Sequence, residues 1–546
     1  MPGANPSDRL DSWKAIANYL GRSVRTARRW EVEEGLPVHR HMHQSLGSVY
    51  GYRSELDRWL KRDQSGPAEP SPQSATENTP DDEIASVVVL PLSYVGSDAG
   101  DEYIADGFTD EIIADLSKLH SLRVISRTSS MTLKGSDRDA RSLGQELRVS
   151  HLLEGTVRRH QTSIRVTVRL VDAASDHTEW SEKFSGEVDD IFEIQEQIAR
   201  EVAGALELRL SREDEDRLAH KPIKSWPVWQ SVVQARQEAM RWDRSSIDRA
   251  VERLEHALSI TGDSAELYVD LGRTYLQYRE TGLDLGPKPL EKAKLCAERA
   301  FEADPNSAGG LQLRGWLHYS QGKIQSAVND LKSALDSNWA DPDALGLLCN
   351  CYLVSGRVEK ARPLFARLLS LDPLIPVYQL LPSWADVLDG RPAEALPGYR
   401  RMFEAQPDSP MARLFLVWLL AVNQQNDEAI DLAAGFAQHD ADSMPAQVAA
   451  LIAAALKGES VESPFSRANP DRVPGAEIFP RTLAQASVLA GRNDDAVAWL
   501  TIAVDRGFIN HPYLDRHDPI LTRLKSDPGY NALLKEVHQR WQAFES

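Results

Sequence analysis

In the first sixty residues, apolar positions recur first at the spacing typical of helices and then in short extended runs. Along 13–20 the apolar residues recur at i, i+3, i+4 and i+7, which predicts one buried helix face. Ser23 is a good N-cap for a second helix over 24–31. Two short extended runs follow, at 38–43 and 48–52. The pattern predicts two crossed helices and a two-stranded wing, which together form a winged helix-turn-helix.

The region from 84 to 212 mixes short β-branched runs with amphipathic helices. In the run 163–170 apolar and polar residues alternate, so we expect one wet sheet face and one face covered by helices. The predicted strands are 86–92, 122–126, 151–159, 163–172 and 178–185, and the predicted helices are 101–119, 139–147 and 190–210. The pattern predicts an α+β middle domain.

The C-terminal half is periodic. Five alanines follow one another at intervals of 34 residues, which is the period of a tetratricopeptide repeat: Ala293, Ala327, Ala361, Ala395 and Ala429. Small residues are needed where the two helices of a repeat cross closely. We predict an all-α tetratricopeptide-repeat solenoid over 226–546, closed by a C-terminal capping helix.

Composition separates these parts. Residues 63–83 are rich in proline, serine and acids and hold no large aliphatic side chain, so we predict a disordered linker there. The chain is therefore expected to be multidomain, with a winged helix-turn-helix over 1–62, the linker, the α+β domain over 84–212 and the repeats.

Charge is distributed unevenly along the chain. Residues 1–62 hold 11 Lys and Arg against 7 Asp and Glu, which is a net charge of +4. Because the whole chain has a net charge of −19, the remaining residues carry −23. The phosphates of DNA repel the acidic chain after residue 62. We therefore expect double-stranded DNA to be bound through residues 1–62. Three cysteines without a CxxC pair, and the absence of any long apolar run or signal peptide, favour a cytoplasmic protein with no membrane segment.

The second helix carries the candidate DNA-binding residues. Its guanidinium groups are spaced to reach guanine edges, and its N-terminus is placed to take a phosphate. The candidates are Arg22, Ser23, Arg25, Thr26, Arg28 and Arg29, with His39 and Arg40 on the wing. An Arg-rich helix is also a common solvated surface, and the alternating His39, His41 and His43 are also a metal-ligand pattern. We favour phosphate contact and expect no metal or cofactor.

Two family resemblances follow from these residues. The stretches Trp13 to Leu20, Ser23 to Glu31, Gly35 to His39 and Tyr52 to Trp59 are similar to the MerR-like and excisionase winged helix-turn-helix domains. This implies major-groove reading by the second helix, although the effector-sensing coiled coil of the MerR family is absent. The strings at 87–92, 103–113, 124–130, 153–158 and 190–196 resemble the TolB amino-terminal domain. That domain is often joined to repeat arrays in regulators and in some adenylate cyclases, but no cyclase catalytic domain is recognised.

Enzymatic chemistry has little support in the sequence. Asp106, Asp110 and Glu111, with Arg127 and Ser129, form a conceivable polar site but lack a nucleophile–base or metal-ligand pattern. We therefore assign no catalytic residue and expect the chain not to be an enzyme.

Tryptophans recur in the repeats. Trp316, Trp384 and Trp418 each stand 11 residues before an alignment alanine, so they are candidates for an aromatic ladder in the groove where peptides bind. Packing between neighbouring repeats is the other interpretation, and it is the one that we favour because an aromatic stripe at repeat spacing is typical of a core. The favoured function is a DNA-binding transcriptional regulator whose solenoid binds a protein or peptide partner, with dimerisation supplying affinity. The alternative is a repeat scaffold for complex assembly with no sequence-specific DNA role.

Overall fold

The structure is a computed structural model of the chain. It describes residues 9–10, 12–20, 24, 36–41, 48–53, 56, 85–96, 99–219, 221, 223–241, 243–438, 443–459, 462–466, 473 and 477–545. The chain divides into two compact units, Met1–Asp82 and Glu83–Ser546, which are described separately. The predicted linker at 63–83 lies outside the described residues.

The first unit combines one described helix with a small sheet. Strand β1 is Arg9–Leu10, helix α1 is Trp13–Leu20, β2 is His39–His41 and β3 is Ser48–Tyr52. Both β1 and β2 pair with β3 in antiparallel fashion. The apolar face of α1 is buried as its periodicity predicts, in a core formed by Leu10, Ile16, Ala17, Leu36 and Leu56. Of the predicted second helix, only Val24 is described.

The second unit begins with a mixed sheet. Its strands are β4 (Ala85–Val89), β5 (Ser93–Tyr94), β6 (Leu122–Val124), β7 (His151–His160), β8 (Ser163–Asp172) and β9 (His177–Glu187). The order is β6-β4-β7-β8-β9, with β5 beside β7. Strand β4 runs parallel to β6 and β7, whereas β7, β8 and β9 form an antiparallel meander.

Helices cover this sheet unequally. The helices are α2 (Glu102–Ser117), α3 (Arg127–Thr132), α4 (Ala140–Leu147) and α5 (Ile191–Ala205). The alternate apolar residues of β8 share one core with α2 and α5, while α4 packs with the far ends of β4, β7 and β8. The predicted order of strands and helices is confirmed. Helix α5 ends earlier than predicted because the chain reverses at Glu207, whose φ is +55°.

The described residues after α5 are helical apart from turns and loops. The helices are α6 (Arg212–Ala219), α7 (Trp226–Ala239), α8 (Arg244–Thr261), α9 (Ala265–Glu280), α10 (Pro287–Ala303), α11 (Ala308–Ser320), α12 (Ile324–Ser337), α13 (Pro342–Val354), α14 (Val358–Leu371), α15 (Pro376–Leu388), α16 (Pro392–Ala405), α17 (Pro410–Val422), α18 (Asn426–Ala434), α19 (Met444–Lys457), α20 (Ile478–Leu489), α21 (Asn493–Asp505) and, after a further turn-rich stretch, the final α22 (Pro528–Ala543). None of the described helices is both long and apolar enough to cross a membrane.

The repeat spacing correctly predicted where the two helices of each repeat cross. All five alanines at the 34-residue interval are completely buried, as the close approach of paired helices requires. The turn between the helices of a repeat holds a glycine at positive φ in Gly322, Gly356 and Gly390, with φ of +70°, +70° and +79°. The C-terminal half is thus a helical solenoid of the tetratricopeptide type.

The sheet and the solenoid share a hydrophobic core. Helix α2 packs against α7, where the ring of Phe108 meets that of Trp229 edge-on with centroids 6.2 Å apart. Trp229 is 1% exposed. The repeats therefore begin on the sheet domain, without a linker between them.

Candidate functional site

Aromatic contacts order the small sheet of the first unit. The imidazole of His39 on β2 stacks on Tyr50 of β3, with centroids 5.2 Å apart, and meets Tyr52 edge-on at 5.8 Å. Arg53, directly after β3, lies over the ring of Tyr19 on α1 at 5.2 Å. The histidine contacts join β2 to β3, and the Arg53 contact joins the end of β3 to α1. The aromatic residues were not singled out in the sequence, although their alternation within 48–52 was a usable signal.

The predicted base-reading residues fall in the undescribed part of this unit. Arg22, Ser23, Arg25, Thr26, Arg28 and Arg29 lie outside the described residues. Arg40 occupies β2, opposite Val49 on β3. The DNA-binding role of these residues stays a prediction.

The conceivable polar site on α2 is a row of ion pairs. The carboxylate of Asp106 accepts hydrogen bonds from Lys134 at 2.8 and 2.9 Å and from Gln237 of α7 at 2.7 Å. Asp110 pairs with Arg127 of α3 at 2.5 Å. Burial raises the pKa of Asp110, and the Arg127 guanidinium opposes this rise. The row thus joins α2 to its neighbours in the fold.

The same row continues toward the solenoid. Glu111 lies 3.8 Å from Arg236 of α7, and Arg236 also pairs with Asp270 of α9 at 2.8 Å. Burial raises the pKa of Glu111, while Arg236 opposes it. Asp115 pairs with Lys221, and both side chains are almost completely buried. These pairs connect the sheet domain to the first repeat helices.

A second polar contact between the sheet and the repeats was missed in the sequence. Asp372, directly after α14, is 1% exposed and accepts hydrogen bonds from the hydroxyl groups of Ser126 and Ser129 and from the Ser129 backbone N–H at 3.1 Å. The Leu374 N–H donates to Ser129 Oγ at 2.9 Å. Arg123 donates to the carbonyl of Ser370 at 2.8 Å. No local pattern reveals contacts across nearly 250 residues.

The three repeat tryptophans differ in their surroundings. Trp418 is only 3% exposed, and its ring lies 5.7 Å from that of Trp384, centroid to centroid. Trp316 is half-buried and donates its Nε1–H to Glu280 at 3.2 Å. The ring of Trp384 also contacts Tyr513 at 6.3 Å. Trp418 belongs to the core because later parts of the chain cover it, so the three rings do not form an open ladder.

A buried cation lies on two of these rings. The guanidinium of Arg481 on α20 lies 4.6 Å from the centroid of Trp384 and 5.1 Å from that of Trp418. Arg481 is 1% exposed, and its Nε pairs with Glu477 at 3.3 Å. Desolvation lowers the pKa of Arg481, but Glu477 together with Tyr513 and Asp518 raises the pKa overall. The cation–π contacts therefore place a side chain of the protein itself against these two rings.

Polar bonds continue from this cluster into the end of the chain. Trp418 donates its Nε1–H to Gln485 Oε1 at 2.8 Å, and Gln485 donates to Asp518 at 2.7 Å. Asp518 in turn accepts the backbone N–H groups of Ile520 and Leu521 at 2.8 and 2.9 Å.

Residues 506–545, the last forty that the structure describes, form a segment that we call the tail. The tail runs along the turns of successive repeats. Ile509 N–H donates to Val354 O, and the Asn510 side chain donates to Leu353 O, each at 3.0 Å. His517 donates to Leu388 O at 2.8 Å. The start of the tail lies beside Gly322, Asn510 beside Gly356 and His517 beside Gly390. The tail thus contacts the same turn in three consecutive repeats.

Family models match three parts of the chain. Residues 85–201 match the second domain of HilA/YgeH-like transcriptional regulators. Residues 318–381 and 388–443 match tetratricopeptide repeats. The repeats predicted from the 34-residue spacing are therefore confirmed, and the sheet domain is of a kind found in a transcriptional regulator. These models do not bear on the MerR-like and TolB-like resemblances.

A curated relative changes one expectation. The chain is 30% identical over 244 residues to "Putative adenylate cyclase 3" of Rhizobium meliloti (strain 1021). The match covers 44% of this chain and 40% of that protein. The expectation that the chain is not an enzyme is contradicted by this relative and is withdrawn. The expectation rested on the absence of a catalytic motif, and such an absence does not exclude an enzyme.

Solved structures resemble the solenoid loosely. A tetratricopeptide repeat protein from Parabacteroides merdae aligns with 50% of this chain and 99% of its own, at 15% identity and a TM-score of 0.33. A thermophilic repeat protein from Thermus thermophilus aligns with 36% of this chain and 99% of its own, at 20% identity and a TM-score of 0.30.

Proposed function

We propose that the chain is a DNA-binding transcriptional regulator whose repeat solenoid binds a protein or peptide partner. Residues 1–62 act as a winged helix-turn-helix head of the MerR and excisionase kind. Its second helix reads the major groove of DNA through Arg25, Arg28 and Arg29. Its wing contacts the sugar–phosphate backbone of the DNA through His39 and Arg40.

One observation carries the proposal. The domain at 85–201, which matches a domain of transcriptional regulators, is preceded along the chain by residues 1–62, which carry a net positive charge, and by the predicted linker at 63–83. In the HilA/YgeH-like model this is a second domain, so another domain precedes it. The basic head with its paired wing strands occupies that place.

The solenoid supplies the second half of the proposal. Tetratricopeptide repeats bind extended peptides or helices. Because Trp418 is covered, we place the partner near Trp316 on α11, whose ring is half-buried. A single winged domain contacts few base pairs, so we expect two copies of the chain to bind together. This function requires the cytoplasm, where DNA is present.

The test begins with the intact chain and its genomic targets. Immunoprecipitation of DNA across the genome identifies bound sites, and one such duplex is then used for fluorescence anisotropy over a salt series. We expect the triple variant Arg25→Ala, Arg28→Ala and Arg29→Ala to lose binding at least tenfold and to show a shallower salt dependence.

A matched control removes three cations from the solenoid, namely Lys294→Ala, Arg299→Ala and Lys525→Ala, whose side chains are 67%, 50% and 53% exposed. This control should bind as the unaltered chain does. If the head variant also binds as the unaltered chain, the DNA-binding role is wrong, and a scaffold for complex assembly is the better description.

A further inference from the structure

Among the described residues, no helix covers one face of the antiparallel meander beyond the end where α4 packs. Helices α2 and α5 pack on the face that holds the buried residues of β8. The opposite face, beyond the end covered by α4, carries cations and hydroxyl groups. We call it the open sheet face, and it consists of Thr156 and Arg158 on β7, Arg165 and Thr167 on β8, and Lys183 and Ser185 on β9. All of these are exposed except Thr167, which is half-buried.

The strand register brings the cations together. Arg158 is directly opposite Arg165 in the pairing of β7 with β8. Lys183 is opposite Thr167 in the pairing of β8 with β9, which makes it a diagonal neighbour of Arg165 on the same face. Like charges directly across two strands destabilise a sheet. The arrangement therefore costs folding free energy, which an anionic ligand would offset.

The chain's own carboxylates leave this cluster unneutralised. Among the described residues, no ion pair involves Arg158, Arg165 or Lys183, and the Arg165 Nε–H donates only weakly to Ser185 Oγ at 3.4 Å. The neighbouring Arg169 on the same face, in contrast, pairs with Glu154 at 2.8 Å. The other nearby carboxylate, Glu187, accepts from Ser163 Oγ at 3.3 Å. With 81 acidic against 62 basic residues in the whole chain, acidic partners for these cations were abundant.

We propose that the open sheet face binds the phosphodiester backbone of the duplex held by the head. This rests on the proposed function and extends it from residues 1–62 to the sheet domain. Three cations next to hydroxyl donors suit phosphate oxygens. Such a contact adds affinity without reading base sequence, because backbone oxygens are the same at every base pair. An acidic protein surface is the competing occupant.

The proposal is tested with the triple variant Arg158→Gln, Arg165→Gln and Lys183→Gln in the full chain. Binding of the same duplex is followed by anisotropy over a salt series. Each lost phosphate contact lowers the slope of log K against log salt by about 1, so the slope should fall by about 3. The loss should be equal on the target duplex and on a scrambled one. Because all three positions are exposed, circular dichroism should show an unchanged fold.

The matched control Lys294→Gln, Arg299→Gln and Lys525→Gln changes the net charge equally and should leave the slope unchanged. If the sheet variant keeps the unaltered slope while the Arg25, Arg28 and Arg29 variant loses binding, the sheet proposal is overturned and the proposed function stands. If neither variant changes binding, both fail. An equal loss in the sheet variant and the control also overturns the sheet proposal, because it shows an effect of net charge alone.

A cross-linking experiment tests the same face directly. The chain's three cysteines, Cys296, Cys349 and Cys351, are all buried, and burial raises the pKa of the Cys296 and Cys349 thiols to about 12, so they react poorly. The variant Ser185→Cys therefore presents one reactive thiol for a photoreactive label. We expect it to cross-link to the duplex, whereas the exposed Thr501→Cys on α21 should not. No cross-link from residue 185, or cross-linking only to an added acidic protein, overturns the proposal.

Discussion

Asp372 accepts a hydrogen bond from the Ser129 backbone N–H at 3.1 Å, across 243 residues of sequence. Asp372 lies at the end of a repeat helix, and Ser129 lies in the first turn of a helix beside the sheet. Burial raises the pKa of Asp372, while its three donors oppose this rise. The middle of the solenoid is thus held to the sheet by a buried carboxylate.

Asp372→Ala should destabilise the chain by about 3 kcal/mol, because two serine hydroxyls and one amide lose their buried acceptor. Urea unfolding followed by circular dichroism measures this. Asp304 occupies the same place in an earlier repeat and is exposed, so Asp304→Ala should change the free energy of unfolding by less than about 0.5 kcal/mol. Equal effects of the two substitutions would show that the contact adds nothing to stability.

Arg481→Met should cost about 3–5 kcal/mol, because Glu477 is left buried without its cation. The double variant Glu477→Gln with Arg481→Met should recover more than half of this loss, since residue 477 then carries no buried charge. A double-mutant cycle in denaturant unfolding provides the measurement. The explanation by charge pairing is refuted if the double variant is as unstable as the sum of both single variants.

Gly356→Ala should loosen the tail. Its φ is +70°, and an added Cβ would lie 2.8 Å from Asn510 Oδ1. Gly491, with φ of +71°, has no atom within 4 Å of such a Cβ, so Gly491→Ala isolates the backbone strain of about 1 kcal/mol. Gly356→Ala should cost about 1–3 kcal/mol more and speed proteolysis within 506–545. If both substitutions lower the free energy of unfolding equally, the tail accommodates the added methyl group at this turn without further loss of stability.

Acid should weaken the tail through His511. Its ring lies 4.5 Å from that of His538, centroid to centroid. Burial lowers the pKa of His511 below its ordinary value of 6.5, and His538 and Arg516 add to this, while Asp515 opposes it.

Because the folded pKa is lowered, the stability that His511 contributes is full above pH 6.5 and is lost as the pH falls through the folded value. Urea midpoints measured between pH ~7.5 and ~5.5 should therefore fall. They should fall less steeply in His511→Gln. A variant with the same pH profile as the unaltered chain would assign the acid sensitivity to other groups.

The sequence predicted what local patterns determine. The buried alanines such as Ala327 and Ala361 follow from the 34-residue repeat period, and the strands follow from the alternation of apolar and polar residues, because both patterns are directly visible in the sequence. The end of α5 was misplaced since a left-handed residue such as Glu207 leaves no compositional mark.

The covered tryptophans show where local reasoning stops. Trp418 holds an equivalent repeat position to Trp316, yet it is buried because Gln485 and Arg481, from beyond the periodic region, pack on it. The contacts of the tail likewise join residues more than 120 positions apart, such as Asn510 with Leu353. Such pairings depend on the assembled array. The candidate DNA-binding residues remain predictions from sequence.

The tail that meets Gly322, Gly356 and Gly390 also limits how this array can evolve. Its contacts are spaced to the pitch of three repeats, so a duplicated repeat inserted between them would leave the tail too short to reach its last turn. An open solenoid gains or loses units freely, because each unit touches only its neighbours. This array instead has a fixed number of units, and its unfolding should be all-or-none across the units that the tail bridges.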